Sequence, residues 1–186
     1  MLQYFISVEE STLLWIQNSM RNEILTPIFK GITILGNGGF FLILCSVILF
    51  ISKKTRNIGI MSLVAIIFSV LIDDVILKNL IARKRPYEVI SGLTSLIGDK
   101  NDFSFPSGYT GSSFAAAVVM FRGLPKKIGV PTLIIAFLIG VSRLYVGVNY
   151  PSDVFCGSII GTGIALLTYL LGNDIYREEN IRRQVL

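Results

Sequence analysis

Long apolar runs separated by short basic clusters make up most of this chain. A helix that crosses a bilayer needs about 20 predominantly apolar residues, and segments at roughly 57–77, 128–147 and 154–172 supply them. A fourth run, roughly 38–52, is short, but residues 32–39 extend it. A fifth, roughly 108–121, is rich in small residues: Gly108, Gly111, Ser112, Ser113, Ala115, Ala116 and Ala117. Small side chains let helices approach closely in lipid, which places this segment inside a bundle. Residues 3–20 mix Leu13, Leu14, Ile16 and Met20 with Glu9, Glu10, Gln17 and Asn18 around Trp15. That mixture reads as an amphipathic helix at the membrane interface, anchored by Trp15. The pattern therefore predicts an all-α integral membrane helical bundle of about six helices, one N-terminal and interfacial plus about five transmembrane. Its length suits one domain over residues 1–186.

Composition strengthens this picture. Hydrophobic residues are 52% of the chain and charged residues 16%, against about 25% charged in a soluble domain. The net charge of +5 is spread over clusters between apolar runs, so it signals topology and not a nucleic-acid face. Lys53, Lys54 and Arg56, then Arg122, Lys126 and Lys127, then Arg177, Arg182 and Arg183 all fall on one side by counting crossings. That side is expected to be the cytoplasm. Connections at about 79–107 and 148–153 then lie on the outer side. Lys78, Arg83, Lys84 and Arg85 run against the positive-inside trend there, and anion binding is the obvious reason. Cys45 and Cys156 sit in apolar runs and read as small buried hydrophobes, with no disulfide framework or metal spacing. No basic n-region precedes an apolar core at the N-terminus, so residues 1–20 do not read as a cleaved signal peptide.

Three motifs occupy the outer connections. Lys78 and Arg85-Pro86 place two cations near one point, with Pro86 fixing a turn. Such a pair clamps a phosphate, although alone it is also what snorkelling at a membrane edge gives. Phe105-Pro106-Ser107-Gly108-Tyr109-Thr110 precedes the small-residue helix. A helix start offers free N–H groups and partial positive charge to an oxyanion, and Gly108 permits close approach. Taken alone it is equally an ordinary start capped by Ser107. Ser142-Arg143, Asn149 and Asp153 form the third motif. A charge such as Arg143 near the end of an apolar span marks a functional site by default, and the bland alternative is an Arg143–Asp153 ion pair. Asp73-Asp74, deep in the second span, adds a possible proton or ion site, or simply an Asp74–Lys78 pair at the favourable helical spacing.

Together, in this order and on one face, these motifs resemble the phosphatidic acid phosphatase type 2 superfamily, which also includes vanadium haloperoxidases. The stretches Leu35-Gly36-Asn37-Gly38-Gly39 and Arg143-Leu144-Tyr145-Val146-Gly147 extend the resemblance over most of the chain. It is most similar to small bacterial members acting on lipid phosphates or prenyl pyrophosphates. The resemblance implies a multi-pass protein of a bacterial-type cytoplasmic membrane, with its site facing outside. It also implies that Lys78, Arg85, Ser107, Gly108 and Arg143 bind phosphate and that Asp153 orients a nucleophile. In the family that nucleophile is a histidine at the position of Asn149, and a second histidine at the position of Tyr109 protonates the leaving group. This chain contains no histidine. A carboxamide neither attacks phosphorus nor titrates near neutral pH, and a phenol cannot replace the nucleophile.

The reading that follows is a catalytically silent binder of a phosphorylated lipid in the membrane, requiring no cofactor and no metal and leaving any protein partner unidentified. Two others compete with it. One is an active phosphatase in which water or Asp153 attacks and Tyr109 acts as acid. The other is a structural subunit with a vestigial site, against which retention of three cations weighs, because unpaired buried charges cost stability.

Overall fold

The computed structural model describes residues 2–185, with side chains for residues 3–37 and 39–176. Every regular element among the described residues is helical. The α-helices are α1 (Leu2–Trp15), α2 (Leu25–Leu35), α3 (Phe40–Ile51), α4 (Arg56–Val70), α5 (Lys78–Ile81), α6 (Pro86–Val89), α7 (Gly108–Gly123), α8 (Lys126–Tyr145) and α9 (Pro151–Val185), joined by π-helical turns at Ile16–Met20 and Leu71–Leu77 and a 3-10 turn at Asn37–Gly39. Among the described residues, three helical stretches are long and apolar enough to cross a membrane: Arg56–Val89, Lys126–Tyr145 and Pro151–Tyr176. The fourth expected span is not a straight rod. It divides into α2 and α3, which meet at 49° across Asn37–Gly39.

The small-residue helix α7 is the centre of the bundle, packed by α4, α8 and α9. Its 16 residues are short for a crossing helix, but Ala115, Ala116, Ala117 and Val119 are fully buried. Gly157 of α9 faces the Ser107 carbonyl and Gly161 faces that of Gly111, so closely that a Cβ at either would collide. Close backbone approach of this kind is how helices associate where lipid removes the hydrophobic drive. The outer faces of α3, α4, α8 and α9 carry exposed Phe, Ile and Leu, as a lipid-facing surface requires.

The basic clusters gather at one end, as the sequence pattern requires. Ile58, beside Arg56, packs on Gly123, beside Arg122, and Tyr169 donates to the Arg122 carbonyl at 3.1 Å. Arg177, Arg182 and Arg183 have side chains outside the described residues.

Helix α1 departs in one respect from the sequence reading. Tyr4, Phe5, Ile6, Val8 and Trp15 are exposed, but Glu9 turns inward and is buried. The other unanticipated feature is a π-helical turn, Leu71–Leu77, between α4 and α5. It carries Asp73 and Asp74, and turns of this type often mark functional sites.

Candidate functional site

All three motifs meet at the end of the bundle away from the basic clusters. Lys78 opens α5 directly after the π turn, and Ala82 ends that helix in the left-handed conformation (φ 48°). The reversal carries Arg83, Lys84 and Arg85 across the bundle end, where Pro86 starts α6. Lys78 and Arg85 are both buried, and one carboxylate bridges them. Asp102 receives Lys78 Nζ on Oδ2 and Arg85 Nη2 on Oδ1, each at 2.6 Å. Arg85 also donates to the carbonyls of Asp102 (3.0 Å) and Val148 (2.7 Å). Burial alone would raise the Asp102 carboxyl, but hydrogen bonding and charge from Lys78 and Arg85 hold it below the usual carboxylate range.

Asp74 forms the expected pair with Lys78, at 2.5 Å. Its carboxylate also lies against Gly108 at the start of α7, where a Cβ would meet it. The helix start therefore already faces one anion. Ser107 acts as an ordinary cap, its Oγ 2.9 Å from Thr110 Oγ1 and 3.4 Å from Thr110 N. Asp73 is fully buried against Gly111, accepts one hydrogen bond from Ser69 Oγ (2.8 Å), and leaves Oδ1 without a partner.

Arg143 is buried to 1% exposure, yet no carboxylate pairs with it among the described residues. Its partners are neutral. Nη1 donates to Thr33 Oγ1 (2.8 Å), Nε donates to Asn149 Oδ1 (3.2 Å), and the guanidinium lies 3.9 Å from the Tyr109 ring centroid. Tyr109 donates to Asn37 Oδ1 at 2.5 Å, and Lys100 Nζ lies 3.5 Å from the Tyr109 oxygen. Thr33, Asn37, Lys100, Tyr109 and Arg143 line a cavity of about 130 Å³ that contains two cations and no carboxylate.

The ion-pair partner of Asp153 is Arg83, a residue not considered for it from sequence. The Arg143–Asp153 pair does not form. Asp153 Oδ1 accepts from Arg83 Nη1 at 2.7 Å, and Oδ2 accepts from Tyr150 N at 2.8 Å. The Asn149 amide donates to the Ser104 carbonyl at 2.7 Å and, more weakly, to Asp153 Oδ2 at 3.5 Å. Arg83 is held from its other side by Glu9 (2.6 Å) and lies 3.7 Å from the Tyr150 ring centroid. Glu9 also accepts from Ser152 N at 2.9 Å. Burial would raise the Glu9 carboxyl, but bonds from Ser152 and Arg83 outweigh it and hold the group below its ordinary value.

Sequence reasoning thus missed Asp102, Lys100, Glu9 and Thr33, and it cited Asn37 only as part of a glycine-rich stretch. Asp102 precedes the Ser107 motif by five residues in a polar loop, and only the surplus of nearby basic residues hinted at a counter-charge. Glu9 carried one signal, a carboxylate interrupting an apolar segment.

The structure is an all-helical bundle with a lipid-facing surface and with cations from three separated motifs at one end. Residues 59–177 match the family model described as PAP2 superfamily, and the chain belongs to that family. It is 32% identical over 121 residues to the undecaprenyl-diphosphatase of Sulfolobus acidocaldarius, covering 65% of this chain and 58% of that protein. It is 32% identical over 164 residues to undecaprenyl-diphosphatase BcrC of Bacillus subtilis, covering 86% of this chain and 80% of that one. The chain thus spans less than two thirds of the archaeal relative's length. Among solved structures, the transmembrane PAP2 type phosphatidylglycerolphosphate phosphatase of Bacillus subtilis superposes with a TM-score of 0.76 at 26% identity, covering 92% of this chain and 88% of that chain.

Proposed function

We propose that this protein binds a phosphorylated lipid, of the polyprenyl phosphate or pyrophosphate class, at the outer membrane face and does not hydrolyse it by the histidine route. The observation that carries the reading is Arg143, buried without a carboxylate beside a cavity that also receives Lys100. A buried guanidinium with only neutral partners is costly and is balanced by an incoming anion. Lys78, Arg85, Ser107 and Gly108 are the further members of the proposed set, although Ser107 caps α7 and Gly108 lies against the Asp74 carboxylate. The site's chemistry stops at binding. Tyr109 and Asn149 stand where the resemblance calls for histidines, and Asp153 is engaged by Arg83 and the Tyr150 amide. Relatives named as undecaprenyl-diphosphatases support the choice of lipid. The basic clusters at the opposite end support an outward-facing site. Sequestration, regulation of a partner or lipid transport are the roles open to such a binder.

Phosphate release from phosphatidic acid and undecaprenyl pyrophosphate tests this, with the purified protein assayed beside the double variant Tyr109→His, Asn149→His. The native chain should be silent, and the double variant should exceed it by at least about 10²-fold, the smallest usual contribution of an acid–base group. Turnover by the native chain that disappears in Arg143→Ala would overturn the reading.

A further inference from the structure

The geometry points to Asp102 as a specificity-determining residue: a tethered carboxylate that occupies the Lys78–Arg85 anion seat and yields only to a phosphate group carrying two negative charges. This rests on the phosphate-binding reading above.

Five observations support it. Asp102 presents one oxygen to each cation at 2.6 Å, the arrangement two phosphate oxygens would adopt. It comes from the irregular segment 90–107, not from a helix, so it can leave without unfolding a span. Its side chain is 46% exposed, whereas that of Arg85 beneath it is 3% exposed. A cavity of about 260 Å³ opens on Asp102 with three cations, Arg85, Lys84 and Lys100, against one further carboxylate, Glu88, giving a ligand a route in and the Asp102 carboxylate a route out. Arg85 and Asp102 are within Coulombic reach of Arg143, so the seat and the Arg143 cavity form one field.

The selection follows from charge. A membrane protein is surrounded by phosphodiester headgroups, each with a single negative charge. A bare cluster of Lys78, Arg85 and Arg143 would be filled by them. A tethered carboxylate competes at an effective concentration on the order of millimolar or above. Exchanging it for a phosphodiester replaces one negative charge with another and gains little. A phosphomonoester, whose second ionisation lies near pH ~6, brings up to two charges to the same cations. Discrimination of this kind comes from an element that opposes the wrong ligand.

The test compares wild type and Asp102→Asn, each with verified thermal unfolding, by titration with dihexanoyl phosphatidic acid (a monoester) and dihexanoyl phosphatidylglycerol (a diester). Wild type should prefer the monoester by at least about tenfold, and Asp102→Asn should bring the two within about threefold, chiefly by tightening the diester. Inorganic phosphate is the third probe, and its affinity relative to phosphatidic acid in wild type separates free phosphate from a lipid headgroup as the ligand. An unchanged preference in Asp102→Asn, with monoester binding intact, would overturn the inference alone. Binding of neither lipid by either protein would overturn the phosphate reading and the inference with it. Should the variant fail to fold, wild type decides. Asp102 faces Lys78, Arg85 and, through Lys78, Asp74, with Lys84, Glu88 and Lys100 around the same cavity, and its carboxyl is held below the usual carboxylate range by Lys78 and Arg85, so the monoester preference should grow between pH ~5.5 and ~7.5 as the ligand ionises. A flat preference over that range would contradict the inference.

Discussion

Arg83 and Arg143 lie at the same end of the bundle, and their surroundings are opposite. Arg83 is clamped between Glu9 and Asp153 and lies over the Tyr150 ring. Arg143 is more deeply buried and has a hydroxyl, an amide and an aromatic face, but no carboxylate. The first is a satisfied structural cation that pins α1 to the start of α9. The second retains unbalanced charge beside a cavity. Asp153 keeps the expected contact with Asn149 at 3.5 Å, but its ion pair is with Arg83 and not with Arg143.

Replacing each arginine in turn should separate them most. Arg83→Met leaves Glu9 and Asp153 without their cation and should destabilise by about 3–5 kcal/mol, the usual result of breaking a buried pair from one side. Arg143→Met removes an uncompensated charge, so the melting temperature should hold or rise while affinity for dihexanoyl phosphatidic acid falls by about 10²-fold, as expected for a desolvated charged contact. Similar melting losses for both variants would erase the distinction.

A milder probe is Glu9→Gln, which keeps the shape and removes one of the two charges on Arg83. Thermal unfolding should show a loss of about 2 kcal/mol, typical of a charge-assisted hydrogen bond, with lipid binding unchanged.

The pH dependence of unfolding sharpens the same contrast. Glu9 and Asp102 both have folded-state values held below their ordinary ones. Their contribution is therefore present above the unfolded-state values of 4.5 and 3.8 and is lost as pH falls through the lower folded ones. The acid-side fall in melting temperature below pH ~4 should shrink in Glu9→Gln. Tyr109→Phe should have the smallest effect. It keeps the ring against Arg143 and loses the bond to Asn37, at about 1 kcal/mol in stability, with lipid affinity nearly unchanged.

Much of this was legible in the sequence because membrane helices and helix-end motifs are local. Apolar length gives the spans, and the small residues of α7 place it centrally. The three motifs that carry Lys78, Arg85, Ser107, Gly108 and Arg143 lie at one end of the bundle. What was hidden is tertiary. Glu9 lies far along the chain from Arg83, and Thr33 far from Arg143, and neither pairing leaves a periodic trace. The π turn at Leu71–Leu77 has no propensity signature, yet it sets Asp73 against Gly111 and Asp74 against Gly108. The break at Asn37–Gly39 could be read as glycine-rich, but not as the bend that brings Asn37 to Tyr109.

Locating orthovanadate in crystals of the native protein, by anomalous scattering from vanadium, tests the central claim most directly. The account places the anion within hydrogen-bonding distance of the Arg143 guanidinium, with Asp102 withdrawn from Lys78 and Arg85. Vanadium bound elsewhere, or no bound vanadium with Asp102 still seated between the two cations, would contradict it.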